Sequence, residues 1–416
     1  MKLNHDRQMR KSIAIIITSI LVLSGCNKQQ SVSDRLLNEV GKAIAINPDS
    51  ASNLLKGISS PEKLDDKAFA RWCMLSGKIT DEIFNSILPT YQLERAYDWY
   101  SSHGSPDEQV QILIYLGRSY FADGDYDKAM SIYTNALDIA EKNKLNNLTG
   151  YTYSYIGDLY GEKFMRTEAI KRYKAAAECF KKENNTDSYA CALRDVGREY
   201  ACIDSLSRAL KILTIADSVA RNTKNIEVTA SIDNALGNIY AMQNKYDKAE
   251  EYFLKALVGR ETMPDYMALI DLYIASGAIN KAQELLSKIP QDNPKYTYSI
   301  KYLYYQIYNE EKNYKEALTN LKEYVEITDS IIYADNQSKI LNIESKYNHL
   351  KISKEVDRLK IKQQSYIIVL VICIGILLLI IIGYLLYRKK AKEKIQRQQE
   401  ELNRIKTDLL YVSLEL

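Results

Sequence analysis

Few residues in this 416-residue chain can break a helix: it has 16 glycines and 7 prolines. That scarcity argues against a β-sandwich or a loop-rich domain and favours an all-α chain rich in Ala, Glu, Lys, Leu and Tyr. Histidine is nearly absent. His5, His103 and His349 lie far apart, so no clustered imidazole chemistry is expected. The six cysteines form no CxxC pair, which removes the usual zinc and redox spacings. No Gly-rich phosphate loop, HExxH or GxSxG occurs. An enzyme is therefore not expected, and no cofactor or metal is implied. The formal charge is only +3, with no basic, aromatic-interleaved patch, so direct nucleic-acid binding is not expected either. The aromatics are lopsided, at 33 Tyr against 6 Phe and 2 Trp.

The ends of the chain are not lacking in apolar runs. Lys2, Arg7, Arg10 and Lys11 precede an apolar core, Ser12 to Leu23. As a helix it would span about 18 Å, short of a bilayer core of about 30 Å, so it has the shape of a signal peptide. Leu23-Ser24-Gly25-Cys26 follows and resembles the bacterial lipobox. The resemblance implies that 1–25 is removed and that Cys26 is lipidated. Near the other end, Tyr366 to Tyr387 is uncharged and would span about 33 Å, enough to cross a membrane. Arg388, Lys389, Lys390, Lys392 and Lys394 follow, and the positive-inside rule places that end in the cytoplasm. The expected location is the bacterial inner membrane, with 26–365 in the periplasm and 388–416 as a cytoplasmic tail.

Between the ends lies a repeat. Gly117, Gly157, Gly197 and Gly237 are evenly spaced. Tyr120, Tyr160, Tyr200 and Tyr240 keep the same interval, as do Ala129, Ala169, Ala209 and Ala249, and Ala136, Ala176, Ala216 and Ala256. This pattern resembles the tetratricopeptide repeat, a helix-turn-helix unit, with a period of about 40 instead of 34. The resemblance implies an all-α solenoid of helical hairpins over 107–331. Small residues let the paired helices approach, and the excess tyrosine is expected to be core. Two degenerate units follow, one with Tyr273 and Ala282 and Ile270 in place of the glycine. The other has Tyr308, Ala317 and Tyr305. Residues 26–106 are expected to form an irregular helical cap, in which "QLERAYDWYSSHG" resembles a degenerate second helix.

Residues 332–365 contain no Gly or Pro and are expected to form a helical stalk, with Ile340, Ile343, Tyr347 and Leu350 on one seam. In the tail, Ile395, Leu402, Leu409 and Leu416 fall at heptad spacing, with Ile405 and Val412 between them and Gln398 as the polar exception. That seam suggests a coiled coil, as a homodimer or with a helical partner. The order of segments resembles bacterial tetratricopeptide proteins with one membrane span. Some of these continue into a helix-turn-helix DNA-binding domain, others into a histidine kinase.

In tetratricopeptide arrays the concave face is lined by first-helix residues around the glycine. By that resemblance the binding groove for a protein or peptide would use Ile114 and Arg118, Ser154 and Asp158, Arg194 and Arg198, Asn234 and Asn238. Arg and Asn there would suit a peptide carboxylate or main chain. Cys179 and Cys191 flank the turn near Asn185; an exported compartment permits a bridge, though two small buried residues fit the pattern better. The chain is thus expected to bind a protein on the exported side and relay occupancy to the tail. The alternatives are an envelope scaffold, or a regulator that lacks its output domain.

Overall fold

The computed structural model describes residues 34–83, 87–291 and 295–414, and these are helical with no strand. The chain divides into two units at Lys339 and Ile340. The first unit starts with α1 (34–43), α2 (Pro48–Lys56), α3 (Asp66–Ile83) and α4 (Thr90–His103). Then come α5 (Pro106–Ala122), α6 (Tyr126–Lys142), α7 (Asn146–Glu162) and α8 (Arg166–Lys182). They are followed by α9 (Thr186–Cys202), α10 (Leu206–Ala220), α11 (Ile226–Met242) and α12 (Tyr246–Gly259). The shorter α13 (Met263–Ala275), α14 (Ile279–Lys288) and α15 (Thr297–Glu310) lead into α16 (Tyr314–Leu414).

The constant interval of the repeat has a local cause. Helices α5 to α9 are each 17 residues long. Turns of equal length separate each from the next, so one helix with its turn makes half a repeat. Each turn places one residue in the left-handed region: Gly124 at φ 75°, Lys144 at 57°, Phe164 at 57°, Asn184 at 56°, Asp204 at 55° and Asn244 at 56°. The next amide reaches back into the last helical turn, as from Asp125 to the Tyr120 carbonyl at 2.9 Å and from Met165 to Tyr160 at 2.8 Å. That bond satisfies a carbonyl the helix end would leave bare. Starts are capped as well. The Asn185 and Asn225 side chains accept from the Ser188 and Val228 amides at 3.2 and 3.3 Å. Ser105 and Glu108 form a capping box ahead of Pro106.

Each of the four regular hairpins closes on a glycine facing a large side chain. A Cβ on Gly117 would sit 2.3 Å from the Tyr133 ring; on Gly157, 2.7 Å from Tyr173; on Gly197, 2.6 Å from Leu213; on Gly237, 2.7 Å from Phe253. The eight repeat alanines are all fully buried. The same register also runs one unit further back than the repeat read from sequence. Gly77 lies one period before Gly117, and Leu93 and Ala96 lie one period before Tyr133 and Ala136. Leu93 and Ala96 are both buried in α4. The degenerate fifth and sixth units fold as hairpins, with Ile270, Tyr273, Ala282 and Ala317 buried.

The tyrosines divide between two environments. Tyr100, Tyr115, Tyr120, Tyr133, Tyr173 and Tyr273 are buried, but many more, such as Tyr160, Tyr200 and Tyr240, are half-buried. Their rings carry cations from the next helix: Arg172 lies 6.0 Å from the Tyr160 ring, Arg208 6.0 Å from Tyr200 and Lys248 5.6 Å from Tyr240. A phenol suits that boundary, since its face stacks on apolar neighbours and takes a cation while its hydroxyl reaches water. Cys179 and Cys191 are free thiols and half-buried, not bridged.

In the second unit the helix continues through the expected stalk, span and tail. Val356 and Leu359 are exposed; the seam positions Ile340, Ile343, Tyr347 and Leu350 lie outside the residues whose side chains are described. The helix holds an apolar segment long enough to cross a membrane, and none of it is buried against protein. Ile395, Leu402 and Ile405 are exposed on the tail. The Leu409 and Val412 side chains and all of Leu416 lie outside the described residues, as does the leader with Cys26.

Candidate functional site

Helix α5 packs against α7, α9 against α11, and α11 against α13, so the first helices of successive hairpins meet directly. Among the described residues, second helices do not pack on one another in this way. The first-helix face is therefore the inner side of the array. Polar side chains line it where the glycine register places them, although most already have partners.

Arg118 on α5 is ion-paired to Asp81 on α3, and its guanidinium lies 5.5 Å from the Tyr155 ring. The Tyr115 hydroxyl donates to the same Asp81 at 3.0 Å. Arg194 on α9 grips Asp195 through two bonds, at 3.0 and 3.1 Å, and donates to the Ser231 hydroxyl at 3.0 Å. The Asp195 charge holds Arg194 firmly protonated. Arg198 is exposed, 3.8 Å from Asp195. Asn234 donates to Asp265 on α13 at 2.8 Å, and the exposed Asn238 donates back to the Asn234 side-chain oxygen at 3.0 Å. Asp265 is fully buried and takes the Arg260 guanidinium at 3.1 and 3.2 Å.

Three positions depart from the expected groove. Ile114 is buried, not groove-facing, because its aliphatic side chain joins Val110, Leu113, Ala136 and Ala140 under Tyr155. Arg118 and Arg194 are already neutralised, so they do not stand ready for a peptide carboxylate. The acids that neutralise them, Asp81 and Asp195, carry no repeat signature. The available signal was positional: Asp195, like Tyr115 and Tyr155, stands just before a repeat glycine in the same register.

First helices are least closely packed at one place, although the Tyr151 hydroxyl on α7 still meets that of Ser188 on α9 at 3.0 Å. Helices α7 and α9 do not pack on each other as the other first helices do. A cleft of about 380 Å³ opens there. Asp158, Glu162, Asp195 and Glu199 line it against Arg166 and Arg198, with Phe121 and Phe164 at the edge. Arg166 bonds Glu199 at 3.3 Å, and the Tyr173 hydroxyl donates to Asp158 at 2.7 Å. Loss of solvation inside the cleft pushes the Asp158 carboxyl up to about 6. The Tyr173 bond opposes the shift and the Asp195 charge adds to it.

The sign of the pH effect follows. Between an ordinary carboxylate value and about 6, the folded chain holds a proton that the unfolded chain has lost. Asp158 thus stabilises the fold less as pH rises through that window. Asp158→Asn should flatten this part of the stability profile while keeping an acceptor for Tyr173. Thermal melts from about pH 4 to about pH 7 measure it; an unchanged slope would contradict the assignment.

Tetratricopeptide repeats are matched by family models over 108–182 and 229–263. These repeats are present in the chain. No curated protein matches it. Among solved structures, the array is similar to a Rap protein complexed with Competence and Sporulation Factor. That match has a TM-score of 0.52 at 17% identity and covers 74% of this chain and 99% of that one. NprR in complex with its cognate peptide NprX gives 0.46 at 15% identity, over 75% of this chain and 97% of that one. A tetratricopeptide repeat protein from Parabacteroides merdae gives 0.45 at 15%, over 65% and 99%. The match to the Rap protein, at that identity, shows the fold alone.

Proposed function

We propose that this is a membrane-anchored, non-enzymatic binding protein. Its first-helix face takes a segment of another protein, and the helix beyond residue 340 passes occupancy to the tail. The observation that carries the binding is the cleft between α7 and α9, where four carboxylates meet two guanidinium groups. Asp195 is taken by Arg194 and Glu199 by Arg166, which leaves Asp158 and Glu162 facing Arg198, so the open charge is negative and the segment it suits is basic and not acidic. The structural similarity to a Rap protein complexed with Competence and Sporulation Factor supports a binding role for such an array.

Membrane anchoring is supported by the uncovered segment 366–387, in which Leu379 is 69% and Ile380 64% exposed. A protein in water rarely exposes an apolar surface of that extent. The cluster of cations from Arg388 to Lys394 favours a cytoplasmic tail. On this reading the array lies in the periplasm, and a lipid on Cys26 tethers its other end.

The relay is tested by crosslinking and purifying the full chain beside a version stopped after Arg397. The expected result is a cytoplasmic partner, or the second copy of a homodimer, that is lost with the tail. Recovery of the same exported partners by both versions, with nothing cytoplasmic, would favour an envelope scaffold.

A further inference from the structure

The period lets each surface position be compared with its counterparts in the sister units, and three outward positions of the fourth unit break the pattern. Leu254 stands where the preceding units have Thr134, Lys174 and Thr214. Val258 stands where they have Asp138, Glu178 and Ser218. Ile226 follows Asn146 and Thr186. Packing does not demand this change: Ile226 is 64% exposed, Leu254 46% and Val258 92%.

The three are not scattered. They line one pocket of about 570 Å³ formed by α11, α12 and the turn before α11. Gly259 helps to form it, where Ile139, Cys179 and Val219 occupy the earlier units; a Cβ there would come within 3.0 Å of Ala230 and Ile226. The rim is charged but nearly self-neutral. Arg221 bonds Asp233 at 2.7 Å, and Lys255 bonds Glu251 at 2.6 Å. The exposed Lys224 remains, with no acid paired to it among the described residues. The pocket shares no residue with the first-helix cleft.

We infer that this pocket is a second docking site, for an amphipathic helical segment of a partner protein. The segment inserts aliphatic side chains between Ile226, Leu254 and Val258 and sets a carboxylate against Lys224. Apolar residues where the sister units carry polar ones supply the affinity, and the single unmatched cation sets the polarity of the partner.

The test is a display selection of random peptides on the full chain in nanodiscs. The comparison variant, Leu254→Thr with Val258→Ser, restores the residues of the third unit. Enriched peptides should carry aliphatic residues at helical spacing together with Asp or Glu. Synthetic copies should bind the double variant at least about tenfold more weakly, and Lys224→Glu should turn the preference toward basic peptides. Asp158→Lys, in the other cleft, should leave their binding unchanged, so failure of one site is distinguishable from failure of the other. Equal binding to wild type and the double variant would overturn the inference. So would a double variant that alters only self-association by light scattering, since the pocket would then serve a second copy.

Discussion

Replacing Gly117 by leucine should unfold its hairpin, at a cost of about 4 kcal/mol or more. The reason is geometric. Even a lone Cβ would stand 2.3 Å from one Tyr133 ring carbon and 2.6 Å from another, and Tyr133 is 1% exposed. A buried, rigid ring has nowhere to turn. Gly117→Ala is the graded case: overpacking of about 1–3 kcal/mol, offset by roughly 1 kcal/mol of helix propensity. Gly197→Ala should cost less, because Leu213 can change rotamer where a ring cannot. Urea melts of the three variants measure the order. A Gly117→Leu chain as stable as wild type would contradict the packing described, while a Gly197→Ala loss larger than that of Gly117→Ala would contradict the account of why. Units of a solenoid need not unfold together, so the melts should be followed by hydrogen exchange in α5 and α6.

Removing the Asp265 carboxylate should be nearly as damaging. The side chain is buried at the start of α13, with Arg260, Asn234 and Thr262 all turned toward it. Asp265→Ala leaves a guanidinium and an amide without their acceptor, a loss of about 3–5 kcal/mol. Asp265→Asn, which can still accept from one donor, should cost clearly less. Exchange protection in α13 should fall before that in α9, since the carboxylate joins α11 to the shorter unit. A loss below about 1 kcal/mol would mean that water replaces the lost acceptor.

The array was legible in the sequence because its packing rule is repetitive. Gly117, Ala129 and Ala136 recur once per unit since each hairpin meets the same close approach. The N-terminal unit was read only in part. Gly77 keeps the register, but Thr80 and Pro89 stand where tyrosine and alanine recur, so the motif fades before the packing does. The first-helix face was legible as a set of positions and not as chemistry. Arg118 and Arg194 look like free cations until the fold brings Asp81 and Asp195 beside them. Those acids come from a neighbouring helix or an adjacent residue outside the motif. The cleft between α7 and α9 was not legible at all, because it depends on how far two helices of nearly identical pattern stand apart. The apolar pocket on α12 was visible only once the period was used to compare Leu254 and Val258 with their polar counterparts.

The central claim is that the first-helix face binds a basic protein segment at the α7–α9 cleft. The most direct measurement is calorimetric titration of the full chain in nanodiscs with an Arg- and Lys-containing peptide, and with its Glu-substituted counterpart. The same titrations are repeated on Asp158→Asn/Glu162→Gln. The account predicts that the basic peptide binds, that the acidic one does not, and that neutralising the two carboxylates weakens binding about tenfold and reduces its salt dependence. Equal binding of both peptides, or binding indifferent to the double substitution, would contradict it.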